Sequence, residues 1–399
     1  MSTAAITTPS DLFVWPNLGA EEGAVTLPGG AHPKRDTLAQ LWSLSFGAGA
    51  RILGDARTLA VPQPGPPEPA FDFLPTKEAL VAWLADDEAR QRAHELGVPL
   101  HGAAPEVVAR VHDKAFAVRL AEDLGVVPET LRGCVSVLEP AELEDPEHAL
   151  AAIRDRLAAW PADRFDAFTL KPRFGCNARG RLGGLRSRLE PEKICGGLAR
   201  LARRGGAILE PWLERSGDLS AHWWIFEDGD CRLLGTLEAI TNGAGLCLGH
   251  RGQIDSRGRV ASGHRLDEPL REVSAEVTQA ASRAGHRGPL CIDAFCFRSP
   301  DSPSREVLRP LVEVNARFSV GWTALACLRR LRRDDPRAAA PAPGQLRHFG
   351  FGIDSGALGW DAGNARTTEV TRIALAEGTD ASAPALLFGD APIPFEGRR

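Results

Sequence analysis

The spacing of apolar and polar positions changes several times along this chain, and each change marks an element. In "HDKAFAVRLAEDLGVVP" (112–128), Phe116, Leu120 and Leu124 recur at helical spacing, Asp113 stands at an N-cap position, and Gly125 and Pro128 follow the last turn. The pattern predicts a helix whose first turn carries Lys114. A second helical pattern surrounds "HALAAIRDRLAAW". The strand "FDAFTL" follows, then a loop, then a short helical stretch ending near "RRGG". From there the period shortens to two, giving strands at "AILEPWL", "LSAHWWIF", "CRLLGTLEAI" and "LCLGHRGQI", with turns at "EDGD" and "DSRG". A helix is expected over about 267–284. The strands resume with "PLCIDAFCF" and "LRPLVEVNARF", separated by the polar excursion "RSPDSPSRE". Helices and strands followed by many antiparallel strands predict an α+β fold.

Composition narrows what such a chain does. At 399 residues, 43% hydrophobic, it buries a full core and holds two or three units. Pro-rich breaks at 61–75 and 334–344 suggest boundaries. The N-terminus lacks a basic, apolar leader pattern, no apolar run reaches membrane length, and the expected location is the cytoplasm. A formal charge of −5 argues against broad nucleic-acid or membrane binding, and the basic runs "RLARR" (200–204) and "RRLRR" (329–333) read as solvated helix faces. The eight cysteines form no CxxC pair and read as reduced, buried thiols. With no tyrosine, every mechanism that needs a tyrosine acid or nucleophile is excluded. Of 47 basic residues only Lys34, Lys77, Lys114, Lys171 and Lys193 are lysines. Such a bias suggests that some mark positions needing a compact ammonium.

Three stretches carry candidate chemistry. Strand alternation puts Cys291, Asp293 and Phe295 on one face, and Leu311, Glu313 and Asn315 on one face of the next strand. Paired as a hairpin, these strands would gather Asp293, Glu313 and Asn315, hard oxygen donors suited to Mg²⁺ or Mn²⁺. The plain alternative is a surface ion pair between Glu313 and Arg317. Lys171 ends a strand before Pro172 and a loop containing Gly175, Gly180, Gly183 and Gly184 among Arg173, Arg179 and Arg181; glycine amides and cations can wrap phosphate, or the loop is an ordinary surface loop. The order G-x-x-x-x-G-K-[ST] is absent, so this is no P-loop. In "LEPWL", Glu210 precedes Pro211, and Trp212 and Leu213 offer a flat wall with main-chain groups for a purine, or a core strand simply turns there. His222, His250 and His264 read as core histidines rather than bases.

The order of these pieces over roughly residues 105–335 resembles the ATP-grasp superfamily. The resemblance implies two α+β lobes (about 105–205 and 206–335) gripping a nucleotide, preceded by a smaller α/β domain (1–104) and followed by an extension (336–399). It implies that Lys114 and Lys171 touch ATP phosphates beneath a glycine loop including Gly175 and Gly180, with Glu210, Trp212 and Leu213 at adenine and ribose and Asp218 a second candidate there. Asp293, Glu313 and Asn315 would hold Mg²⁺ or Mn²⁺, and Arg317 would face phosphate or a substrate carboxylate. The implied activity is an ATP-dependent ligase joining a small-molecule or peptide carboxylate to an amine, or less often a thiol, through an acyl phosphate. Arg317 and Lys171 then carry the catalytic charge. A phosphotransferase and a non-catalytic ATP-binding module are the competing readings.

Overall fold

The computed structural model describes residues 12–20, 33–47, 50–53, 68–161, 163–175, 180–241, 247–352, 371–375, 384–390 and 392–393. Chain order begins with β1 (Leu12–Trp15), α1 (Pro33–Ser43), β2 (Arg51–Ile52), β3 (Ala79–Ala82) and α2 (Asp87–Leu96). The strands form a small parallel sheet in the order β2-β1-β3. β1 and β3 are buried throughout, as parallel strands covered on both faces must be.

Next come α3 (Pro105–His112), α4 (Lys114–Asp123), β4 (Ser136–Leu138), α5 (Pro146–Ala158), β5 (Ala167–Pro172), β6 (Leu182–Leu185), α6 (Pro191–Arg203) and β7 (Ala207–Pro211). Helix α4 starts where the sequence places it, the Asp113 carboxylate accepting the N–H of Ala115 at 2.9 Å and Gly125 following at φ 66°. An antiparallel sheet orders these strands β4-β7-β5-β6. Two expectations change here. Pro172 lies within β5, and Gly183 and Gly184 are strand residues, because a Cβ at Gly183 would lie 3.0 Å from the Phe168 carbonyl oxygen and one at Gly184 3.3 Å from the Phe168 ring. The middle of the expected loop, 176–179, lies outside the described residues, as does 61–67 of the first Pro-rich break.

The remainder is β8 (Arg215–Ile225), β9 (Cys231–Thr241), β10 (Cys247–Asp255), β11 (Val260–Ala261), α7 (Asp267–Arg283), β12 (Gly288–Ser299), β13 (Ser302–Asn315), α8 (Val320–Asp334), β14 (Leu346–Gly352), β15 (Thr371–Ala374) and β16 (Ala385–Gly389). A nine-stranded sheet runs β13-β12-β8-β9-β10-β14-β16-β15, with β11 on β10. The tail thus extends this sheet rather than standing apart. Most of the polar excursion "RSPDSPSRE" is strand: β12 reaches Ser299, β13 starts at Ser302, and Arg298 pairs with Glu306.

Aromatic packing fixes how the first sheet meets the last. Phe318 lies 4.6 Å from Trp322 and 5.1 Å from Trp42 between ring centroids, and its N–H donates to the Trp83 carbonyl at 3.2 Å. Since Phe318 follows Arg317, this cluster sets where Arg317 begins. The run at 329–333 is exposed at Arg329 and Arg333 but also makes contacts across the fold: Arg330 donates to the Leu44 carbonyl at 3.1 Å, Arg333 to that of Pro69 at 3.3 Å, and Arg329 stacks on Phe71 at 5.1 Å. The seven described cysteines are free thiols. Among the described residues no helix is long and apolar enough to cross a membrane.

Candidate functional site

A cleft of about 640 Å³ opens between the four-stranded and nine-stranded sheets. Its wall includes Lys114, Lys171, Gly175, Trp212, Leu213, Asp218, Asp293, Glu313, Asn315 and Arg317. Two expected residues are absent from that wall. Glu210 is only 3% exposed and lies behind Lys171, while Gly180 packs on Arg204, whose Nη1 would be 3.0 Å from an added Cβ.

The two lysines arrive on different elements and are held together by their neighbours. The Arg173 guanidinium, just beyond Lys171, donates Nε to Asp113 Oδ1 at 2.9 Å, and Asp113 caps the helix that begins with Lys114. Arg173 therefore closes this joint and is not a phosphate ligand in the cleft wall. Lys114 Nζ sits 2.9 Å from Glu313 Oε2 and donates to the Gly175 carbonyl, also at 2.9 Å. The Glu313–Arg317 surface pair does not form; Arg317 Nη1 donates to the Phe318 carbonyl at 2.7 Å.

Lys171 Nζ makes a close ion pair with Glu210 Oε1, and Arg309 Nη1 reaches Glu210 Oε2 at 2.9 Å. Lys171 and Glu210 belong to the four-stranded sheet and Arg309 to β13, so the triad crosses between sheets. Burial would raise the Glu210 carboxyl, but Arg309 and Lys171 overcome it and hold it down at about 2. Desolvation lowers Lys171 against the opposing pull of Glu210. Arg309 shares strand parity with Glu313 and Asn315, so the sequence carried a signal for it.

On the nine-stranded sheet, Asp293 lies opposite Glu313 and Cys291 opposite Asn315. Asn315 Nδ2 donates to Asp293 Oδ2 at 2.8 Å, which turns its Oδ1 away as a further oxygen donor. Burial first and the Glu313 charge second push Asp293 above the carboxylate range; Lys114 and Lys171 hold Glu313 below it despite burial. Two carboxylates facing each other beside one amide oxygen form a hard, anionic donor set that fits Mg²⁺ or Mn²⁺. The donor chemistry thus agrees with the ion that the resemblance implies.

Trp212, Leu213 and Asp218, expected at adenine and ribose, line another part of the cleft. Asp218 pairs with Arg215 at 2.8 Å and accepts from Thr241 Oγ1 at 3.0 Å. The stretch 210–213 offers fewer free main-chain donors than its sequence suggests: Pro211 has no N–H, and the N–H of Trp212 donates to the Ala167 carbonyl at 2.9 Å.

The wall also carries two neutral imidazole rings. His222 and His250 line the cleft, which sequence reasoning set aside as core positions; only the pairing of β8, β9 and β10 brings them here. His222 Nε2 lies 2.9 Å from Ser220 Oγ and Nδ1 3.3 Å from Ser319 Oγ. Burial pushes His222 down to about 3, with His250 adding to it, and His250 down to about 4. Neither Trp223 nor Trp224 lines the cleft. The glycine at 321 makes this wall possible, since a Cβ there would lie 2.4 Å from two atoms of the His222 ring. Gly321→Ala should displace that ring and lower stability by about 1–3 kcal/mol, read from the urea midpoint.

Outside the cleft, His264, Cys296 and Glu306 approach metal-ligand spacing. The Leu266 N–H donates to His264 Nδ1 at 3.2 Å, which leaves the ring proton on Nε2, facing Glu306 at 3.6 Å. The same Glu306 oxygen is already paired with Arg265 at 2.8 Å, so the carboxylate is engaged elsewhere.

No family model and no curated protein matches the sequence. Solved structures do match along nearly the whole chain. The biotin carboxylase domain of Hydrogenobacter thermophilus 2-oxoglutarate carboxylase, in complex with MgADP, ADP and bicarbonate, is similar over 97% of this chain and 87% of its own, with TM-score 0.54 and 12% identity. N5-carboxyaminoimidazole synthase from Aspergillus clavatus, with ADP and 5-aminoimidazole ribonucleotide, is similar over 96% and 94%, with TM-score 0.53 and 13% identity. Biotin carboxylase from Campylobacter jejuni, in an ATP complex, is similar over 95% and 87%, with TM-score 0.51 and 11% identity. With a small parallel sheet leading two antiparallel sheets around one cleft, this chain has the ATP-grasp fold.

Proposed function

We propose that the chain is an ATP- and Mg²⁺-dependent ligase that activates a carboxylate as an acyl phosphate for attack by an amine, or less often a thiol. The observation that supports this most is the meeting of Lys114, Lys171, Asp293 and Glu313 in one cleft of an ATP-grasp fold. A carboxylate oxygen attacks the γ-phosphorus and the bond to the β-phosphate bridge breaks, releasing ADP. The amine nitrogen then attacks the acyl carbon, the carbon–oxygen bond breaks, and inorganic phosphate leaves with the electron pair. No side-chain nucleophile is required, which agrees with a chain lacking tyrosine and with thiols such as Cys247 and Cys327 held protonated, both pushed up to about 12 by burial.

The chain's own task is placement and charge. Lys114 and Lys171 bring ammonium groups to the phosphates from two elements joined by Asp113 and Arg173. Asp293, Glu313 and Asn315 would hold Mg²⁺, which when bound supplies positive charge at the phosphoryl oxygens. Arg317, with the N–H groups of Val320 and Gly321 at the start of α8, faces the cleft where a substrate carboxylate would sit. The neutral wall of His222 and His250 then borders the acceptor. Bicarbonate and an aminoimidazole in the solved relatives favour a small acid and a nitrogen acceptor, and so carbon–nitrogen bond formation.

Lys171→Ala and Glu313→Ala, each shown to be folded, should release ADP at least about 100-fold more slowly than the parent. Hydroxylamine added with a panel of acids beginning with bicarbonate distinguishes the chemistry. A hydroxamate identifies the acyl phosphate; a phosphorylated product that resists trapping indicates a phosphotransferase; nucleotide binding without turnover indicates a binding module. If both variants bind and consume ATP as the parent does, the site assignment is wrong.

A further inference from the structure

The cleft wall holds a hydroxyl paired with an imidazole, and the ligase chemistry above uses neither as a reacting group. Ser220 and His222 stand two positions apart on β8, so strand alternation puts both on the face that carries Asp293. Ser220 is the direct partner of Asp293 across the β8–β12 ladder, which brings their Cβ atoms to about 5 Å. Both residues line the cleft. The Ser220 hydroxyl therefore stands beside the carboxylate that would hold the ion next to the phosphoryl groups.

A hydroxyl becomes a nucleophile when a base within hydrogen-bond reach takes its proton. His222 Nε2 lies 2.9 Å from Ser220 Oγ, and Nδ1 lies 3.3 Å from Ser319 Oγ. With the ring proton on Nδ1 and directed at Ser319, the Nε2 lone pair is left for Ser220. Ser319 is itself held in place, because its Oγ accepts the N–H of Trp322 at 3.1 Å and caps α8. Burial, with His250 adding to it, keeps the imidazole neutral, so the lone pair is present at neutral pH. It also makes the base weak. Phosphoryl transfer tolerates a weak base, since its loose transition state asks little of the attacking oxygen. Two other hydroxyls of the wall are committed: Thr241 Oγ1 donates to Asp218 and Ser216 Oγ to Glu306, and neither is laddered to Asp293 or Glu313.

From this geometry we infer that Ser220 is a phosphoryl acceptor: with MgATP bound and no acid beside it, the chain phosphorylates its own Ser220, and His222 takes the proton. Ser220 Oγ bonds to the γ-phosphorus, and the bond from that phosphorus to the β–γ bridging oxygen breaks, its electron pair leaving on ADP. The hydroxyl proton passes to His222 Nε2. The inference rests on the nucleotide reading above and adds a modification site to the same cleft. Its test is incubation of the intact chain with MgATP in carbonate-free buffer with no added acid, followed by intact mass and peptide mapping, with MgADP as control. The parent should gain one phosphoryl group, on Ser220, and none from MgADP. Ser220→Ala should gain none while binding MgADP in calorimetry as the parent does. His222→Gln should be labelled at least about 100-fold more slowly. The parent's own peptide map decides the site even if a variant does not fold. A parent that binds MgATP yet stays unmodified, or carries the group on another residue, overturns the inference and leaves the nucleotide reading standing. Labelling of folded His222→Gln at the parent's rate overturns the role of the imidazole. Failure of the parent to bind MgATP or MgADP overturns the nucleotide reading itself, and the inference with it.

Discussion

Glu210→Gln should lower stability by about 3 kcal/mol at neutral pH, measured by urea unfolding. The glutamine keeps the shape and removes the charge that lies between Lys171 and Arg309. Those side chains are 14% and 7% exposed, so two cations would remain buried with no anion, a defect that typically costs about 3–5 kcal/mol. Titration leads to the same figure. The Glu210 carboxyl is held at about 2 against an ordinary 4.5, and that difference corresponds to about 3 kcal/mol. A folded-state value below the unfolded one contributes stability that is complete above pH 4.5 and drains away as the pH falls through 2. The parent should therefore lose this increment between those limits while Glu210→Gln does not, and the two unfolding curves should converge in acid. The triple substitution Lys171→Met, Glu210→Leu and Arg309→Leu, which replaces all three charges with apolar groups, should recover stability but not nucleotide binding. A Glu210→Gln protein as stable as the parent would show that the triad ties nothing together.

That triad also shows which parts of the site the sequence could reveal. Local chemistry was legible: Asp113 and Gly125 bound a helix through their own preferences, so Lys114 fell correctly in its first turn. Parity was legible too, since alternation alone puts Glu313 and Asn315 on one face and Asp293 on another strand able to meet them. Contacts between sheets were not. Glu210 read as a base-facing residue because its partners, Lys171 upstream and Arg309 downstream, are remote in the chain, the latter by 99 positions. His250 joins the cleft only through the register of β9 and β10. Gly183 and Gly184 read as loop glycines because the sequence does not announce that Phe168 will crowd them.

The joints explain why two distant lysines are aligned at all. Arg173 fastens the end of β5 to the cap of α4, and Glu210 fastens β5 and β7 to β13. Each sits within a few residues of a group that faces the cleft. Moving the four-stranded sheet would carry Lys171 away from Glu313 unless both joints yield, so ion pairs outside the cleft set the geometry inside it.

The second large effect concerns Lys114, whose ammonium now occupies the place beside Glu313 where a divalent cation would share that carboxylate. At an effective dielectric near 20, a unit-charge contact at about 4 Å is of order 4 kcal/mol before desolvation and solvent screening reduce it. Glu313 is 29% exposed, so only part of this survives, and Lys114→Met should tighten Mn²⁺ binding to the nucleotide-free protein by about tenfold, read by the loss of free-ion signal in electron paramagnetic resonance. The same substitution removes a cation from the phosphates. ATP affinity should fall at least about tenfold and ADP release with it. Opposite movements of metal and nucleotide affinity are the signature, because a lysine that merely braced Glu313 would leave ATP unaffected, and one that only held the fold would weaken both. If Mn²⁺ binding is unchanged while the protein stays folded, Glu313 is not where the ion goes.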